Sequence, residues 1–184
     1  MSLPQCLIAI VLAGTSLVTY AKGGHTSTAT ADKPGVTLPA KNHSSPFASM
    51  RGGHVGLRVA DYKAAKQWYV EKLDFRVVKE WPFNGQHLAY IAPATDDRFF
   101  IELLGDGERP TPKPTFKDVN ASAQVAGYHH LCLDVADVDK ALATLRKRGV
   151  KVVAEPFLVP DIKRRLAFIE DPWGNVIELA EEVK

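Results

Sequence analysis

Cysteine is nearly absent: Cys6 and Cys132 are the only two thiols in 184 residues. Cys6 lies in an N-terminal apolar stretch, so loss of that stretch leaves Cys132 alone and rules out an intramolecular disulfide. A lone thiol is compatible with either a reducing or an oxidising compartment. Long hydrophobic runs are missing too, and residues 7–13 (LIAIVLA) are too few to cross a bilayer. Nor does charge of one sign dominate. Lys and Arg number 23 against 21 Asp and Glu, and a net charge of +2 argues against a nucleic-acid partner. The short basic clusters Arg146, Lys147, Arg148 and Lys163, Arg164, Arg165 read as solvated surface. What remains, 46% hydrophobic and 24% charged, is the make-up of a soluble globular protein.

Residues 1–21 read as a secretory signal peptide. The apolar run is followed by Thr19-Tyr20-Ala21, a small-residue cleavage site, with only the α-amino group supplying positive charge. Residues 22–49, rich in Ser, Thr, Gly, Pro, Ala and Lys, have no periodicity and read as a disordered linker that carries His25 and His43. The folded domain is then 50–184. A processed chain is expected in the periplasm or outside the cell, with no membrane contact after removal of the leader. Translation starting at Met50 would instead make it cytoplasmic, and both readings stay open.

The folded part repeats itself. His54 opens HVGLRVAD and Glu102 lies in IEL; His130 opens HLCLDVAD and Glu178 lies in IEL again. Each glutamate follows its histidine by 48 residues (102 − 54; 178 − 130), so the halves are offset by 76 (130 − 54).

Hydrophobic periodicity predicts an α+β fold of two βαβββ modules, 52–105 and 127–183. In the first, alternation gives a strand over 54–60, Asp61 caps a helix, and Ala64, Ala65, Trp68, Tyr69 and Leu73 recur at helical spacing. Strands over 75–81, 88–92 and 98–104 follow, with Asn84-Gly85 as a hairpin turn. The second module repeats the order: strand 128–135, helix 138–148 ended by Gly149, and strands 150–154, 165–170 and 176–180. Asp171-Pro172-Trp173-Gly174 turns between the last two. Between the modules, residues 105–126 carry Pro110, Pro112 and Pro114, which favour an extended stiff connector over a helix; it could also close over a site.

Alternation then sorts the faces. Ile101, Leu103, Ile177 and Leu179 should pack under the helices, while Glu102, Glu178, His54 and His130 project from the other, concave face. His129 alternates to the helix side and is expected to be structural. Two imidazoles and two carboxylates on one face suit a divalent transition metal, Zn, Ni, Co or Fe rather than Mg or Ca. Open coordination positions would let it act as a Lewis acid on substrate oxygens. A single His or Glu on a strand is ordinarily just a satisfied polar residue; its recurrence in both halves is what points to ligands.

HVGLRV, AAKQWYVEKLDF, GYHHLCLDV and DPWGNVIEL resemble the vicinal oxygen chelate superfamily, which holds glyoxalases, bleomycin-resistance proteins and extradiol dioxygenases, over residues 52–183. The resemblance implies paired βαβββ modules forming a cupped mixed sheet around a metal. The ligand set His54, Glu102, His130 and Glu178 is most similar to that of glyoxalase I (lactoylglutathione lyase). It implies isomerisation of an α-oxoaldehyde–thiol adduct through an enediolate, with Glu178 as base and Glu102 assisting. Arg58 matches the family's strand-one arginine, which binds a substrate carboxylate. Two positions depart from the pattern: Asp74 stands where Gly is common after the first helix, and Asp106 lies where an Asn is expected.

Other members imply other chemistries. An extradiol-type dioxygenase would need no ligand at the position of Glu102, and a metal-free antibiotic binder would use Trp81, Phe83 and Phe100 as walls. Related proteins build the cup within one chain or across a two-fold dimer, so a homodimer is expected.

Overall fold

The computed structural model describes residues 37–107 and 116–183. The leader, linker residues 22–36 and Pro110, Pro112 and Pro114 of the connector lie outside the described residues. Residues 37–49 form neither helix nor strand, with turns confined to 43–49. Among the described residues, no helix is long and apolar enough to cross a membrane.

Each half folds as βαβββ. In the first, β1 (His54–Arg58), α1 (Tyr62–Leu73), β2 (Arg76–Phe83), β3 (Gln86–Ala92) and β4 (Phe100–Leu104) build a sheet ordered β1-β4-β3-β2. A single turn, α2 (Val119–Ser122), precedes β5 (His130–Asp134), α3 (Val138–Lys147), β6 (Lys151–Val159), β7 (Arg164–Glu170) and β8 (Val176–Glu182), whose sheet is ordered β5-β8-β7-β6. The first strand of each module pairs in parallel with its last, and the other pairings are antiparallel. Both sheets are therefore mixed.

Local chemistry accounts for the element ends. Asp61 and Asp137 each accept the N–H three residues on, at 2.9 Å, satisfying one of the free donors of α1 and α3. Gly149, at φ 75, closes α3: its N–H reaches Arg146 O at 3.0 Å and that of Val150 reaches Leu145 O at 3.0 Å, a Schellman arrangement. Asp74 takes the same left-handed conformation (φ 55) after α1, which accounts for a chain turn at a position where the family commonly has glycine. Asn84 and Gly85, at φ 49 and 75, form the type I′ turn that the Asn-Gly pair predicts.

Three details differ from the sequence reading. The strand expected over 150–154 continues to Val159 through Pro156, which β6 accommodates because it is a sheet edge with register shifts on either side of Ala154. The connector is not extended throughout: Asp118 caps α2 by accepting from Ala121 N at 2.9 Å. On α1 the buried residues are Tyr62, Ala65 and Tyr69, while Ala64 faces solvent.

Ile101, Leu103, Ile177 and Leu179 are almost wholly inaccessible, as alternation requires, and join Tyr69, Leu142 and Leu145 from the helices in one core. That core draws on both modules. It is crossed by a buried hydrogen bond: the Tyr69 hydroxyl of α1 donates to Asp171 Oδ2 at 3.0 Å, in the β7–β8 turn. Arg148 adds a second tie, donating to Lys72 O at 2.8 Å and Asp74 Oδ2 at 2.9 Å. The modules thus pack through their helix sides, and the opposite faces of both sheets look away from the shared core.

Candidate metal centre

In the first module, β1 and β4 run parallel with Gly56 beside Glu102. His54, two residues before Gly56, shares its face, and its Nε2 lies 3.1 Å from Glu102 Oε2. Tyr90 sits across the ladder from Glu102; its ring is 5.3 Å from that of His54 and 4.7 Å from that of Trp81. A cavity of about 450 Å³ opens here, lined by Lys79, Trp81, Phe83, Leu88, Tyr90 and Glu102. Trp81 and Phe83 form walls as the sequence suggests. Phe100 does not line the cavity, and its ring lies 6.0 Å from that of Tyr90.

The second module reproduces the pair. His130 Nε2 is 3.0 Å from Glu178 Oε2, and Cys132, in register with Glu178, donates its thiol to Oε1 at 3.4 Å. Phe168, opposite Glu178 on β7, sets its ring edge-on to His130 at 5.5 Å. His129 overturns its expected role. Its ring does not turn to the helix side: His129 Nδ1 meets His130 Nδ1 at 2.7 Å, and its Nε2 meets Ser122 Oγ of α2 at 2.8 Å.

The donor chemistry and spacing fit a divalent transition metal. Bonds of about 2.1 Å to imidazole nitrogen and carboxylate oxygen, at right angles, place neighbouring donors about 3.0 Å apart. Both His–Glu pairs have that separation. The carboxylates are well sheltered and the imidazoles more open, with side-chain exposures of 41% and 18% for His54 and Glu102, and 32% and 14% for His130 and Glu178. Within one chain the four donors are gathered two and two. Among the described residues, no group of three or more His, Cys, Asp or Glu side chains comes together to hold an ion. The back-to-back packing of the modules is the physical reason, since each pair lies on a face turned away from the common core.

Arg58 shares the face of His54 at the far end of β1. Its NH1 donates to Gln86 Oε1 at 2.8 Å and to Gly105 O at 3.3 Å, fixing the start of the connector. Asp106, at φ 57, bonds His87 through both the ring Nδ1 and the backbone N–H, and the hydrogen bond from His87 holds its carboxyl below the usual carboxylate range. Nearby, Tyr62 donates to Glu80 Oε1 at 2.6 Å, and Lys66 with Tyr62 holds the Glu80 carboxyl low. One basic cluster departs from the surface role read for it: Arg164 is 8% exposed and its NH1 donates to Asp134 Oδ1 at 3.3 Å, on the same sheet face as Glu178.

Tyr90, Phe168 and Ser122 escaped the sequence reading, and Cys132 entered it only as a lone thiol. Cys132 and the two rings follow from alternation once register is known: each is the cross-strand neighbour of a candidate glutamate. The 93–99 link before β4 is no tight turn, so spacing alone did not set that register.

Comparison with known proteins gives a consistent picture. The sequence profile of the Glyoxalase/Bleomycin resistance protein/Dioxygenase superfamily matches residues 51–179. The lactoylglutathione lyase of Escherichia coli O157:H7 is 29% identical over 137 residues, covering 72% of this chain and 93% of its own. Human mitochondrial methylmalonyl-CoA epimerase is 23% identical over 155 residues, covering 79% and 86%. A superfamily member of known structure from Sphaerobacter thermophilus DSM 20745 superposes with a TM-score of 0.56 at 25% identity, covering 72% of this chain and 98% of that one. With the duplicated βαβββ fold and this profile match over most of its length, the chain belongs to the glyoxalase/bleomycin resistance protein/dioxygenase superfamily.

Proposed function

We propose that the protein is a metal-dependent lyase of the glyoxalase I type, isomerising the adduct of an α-oxoaldehyde with a thiol. The observation that carries this reading is the recurrence of a His–Glu pair at metal-ligand spacing on the outward face of both halves. Superfamily members commonly bind a divalent metal, and relatives include lactoylglutathione lyases. One Ni, Zn, Co or Fe ion would be held by His54 and Glu102 of one copy with His130 and Glu178 of the partner subunit, in a homodimer. Two sites per dimer follow from the two-fold relation.

When bound, such an ion supplies Lewis acidity at the substrate carbonyl and so acidifies the adjacent C–H. The chain's own groups do the rest. Glu178 is the base that removes this proton and returns it to the neighbouring carbon, and Glu102, which lines the cavity, serves the opposite face. Trp81, Phe83 and Tyr90 shield the reacting carbons from water. The donors of Arg58 not engaged by Gln86 and Gly105 bind a carboxylate of the thiol partner at the rim.

Elemental analysis of purified protein, together with an assay on methylglyoxal–thiol hemithioacetals, tests the proposal. The expected result is one metal per chain, with activity lost on chelation and regained with Ni²⁺, Zn²⁺ or Co²⁺. Full metal loading with no turnover of any adduct overturns it. Methylmalonyl-CoA belongs in the same panel because an epimerase is among the relatives, and inverting a carbon beside a carbonyl is likewise a proton transfer.

A further inference from the structure

The two His–Glu pairs are similar in geometry but not in support. Gly53 stands before His54 and brings no side chain, whereas His129 stands before His130 and is linked through Ser122 to α2. We infer that Ser122 and His129 are positioning residues that fix the His130 ring in the tautomer whose Nε2 carries a lone pair. This rests on the metal reading given above.

Counting protons along the chain of contacts gives the direction. Ser122 Oγ lies 2.7 Å from Val119 O, a carbonyl that can only accept, so the single hydroxyl hydrogen of Ser122 goes there. Ser122 Oγ then accepts from His129 Nε2 at 2.8 Å, which places the proton of neutral His129 on Nε2. Nδ1 of His129 is left as an acceptor. The 2.7 Å contact between the two Nδ1 atoms therefore needs the proton of His130 to reside on its Nδ1. The consequence falls on the other side of the ring, where His130 Nε2 presents a lone pair to Glu178 Oε2 at 3.0 Å. Two acceptors that close call for a cation between them. Metal-binding imidazoles are ordinarily held this way by a carbonyl, carboxylate or water at the remote nitrogen; here a second imidazole, itself anchored by a short helix, takes that place.

The relay also makes the halves unequal. His130 is pre-set for coordination before any ion arrives, while among the described residues no hydrogen bond holds His54 at Nδ1, and the ring of Tyr90 stands beside it at 5.3 Å.

Nitrogen-15 NMR of the imidazoles in metal-free protein, above the ordinary imidazole titration range, reads the tautomers directly. Binding of Ni²⁺ and Zn²⁺ by calorimetry reads the consequence. In the wild type, neutral His130 should carry its proton on Nδ1. His129→Ala and Ser122→Ala should shift it towards Nε2 and weaken metal binding by about 10- to 100-fold. His129→Asn should keep both properties near wild type, because its amide oxygen can accept where Nδ1 did. A wild-type His130 protonated on Nε2 overturns the inference, as does His129→Ala with unchanged tautomer and unchanged affinity. Should the wild type bind no metal, the proposed function fails while the tautomer measurement still decides the relay.

Discussion

Asp171 has 2% exposure, and its charge is accommodated by four donors: the Tyr69 hydroxyl at 3.0 Å, Trp173 N at 3.0 Å, Asn175 N at 2.8 Å and Asn175 Nδ2 at 2.7 Å. Three come from its own turn. The fourth crosses from the other module, and burial followed by the nearby Asp171 charge drives the Tyr69 phenol well above its ordinary range, so it donates at all accessible pH. Tyr69→Phe removes that donor and little volume. It should lower the unfolding free energy by about 1–3 kcal/mol, seen as a lower urea midpoint with an unchanged slope. An unaltered midpoint would mean that this buried bond adds nothing to the docking of the two halves. The DPWGN motif was legible as a turn, but its carboxylate's partner lies 102 residues away and could not be inferred from local sequence. His129 was misread for a related reason: pleat alternation holds only inside a strand, and β5 begins at His130.

Element boundaries were legible where one residue type does one physical job. Asp at a helix start, Gly after a helix end and Asn-Gly in a hairpin each satisfy a local demand without help from the rest of the molecule. Gly149 is the sharpest case, since nothing lies within 4 Å of the Cβ it lacks, leaving backbone conformation at φ 75 as the reason for glycine there. Gly149→Ala should cost about 1–2 kcal/mol, because an L side chain disfavours the left-handed region. Thermal unfolding checks this, and a loss below a few tenths of a kcal/mol would contradict the assignment. The misread elements depend on tertiary context. Pro156 reads as a strand breaker until β6 is known to be an edge, and α2 is too short to show a helical period.

At the scale of the whole molecule, the duplication made the fold and the four candidate ligands readable, yet not their assembly. A repeat fixes which residues are equivalent, not whether two equivalent faces meet within a chain. The shared helix-side core and the Tyr69–Asp171 bond turn those faces apart, and the four-donor site proposed above therefore calls on a second copy. Complementation between inactive variants tests this arrangement. The double variants His54→Ala/Glu102→Ala and His130→Ala/Glu178→Ala should each lack metal binding and turnover, because every site in either homodimer loses half its ligands. Refolded together, they form mixed dimers in which one site combines both damaged pairs and the other combines both intact ones. Random pairing makes half of all dimers mixed, each with one working site of two, so about a quarter of the wild-type activity should return. A site closed within one chain would stay dead at every mixing ratio, and that outcome would reject the two-copy assembly while leaving the ligand assignment to be judged by metal binding to each double variant alone.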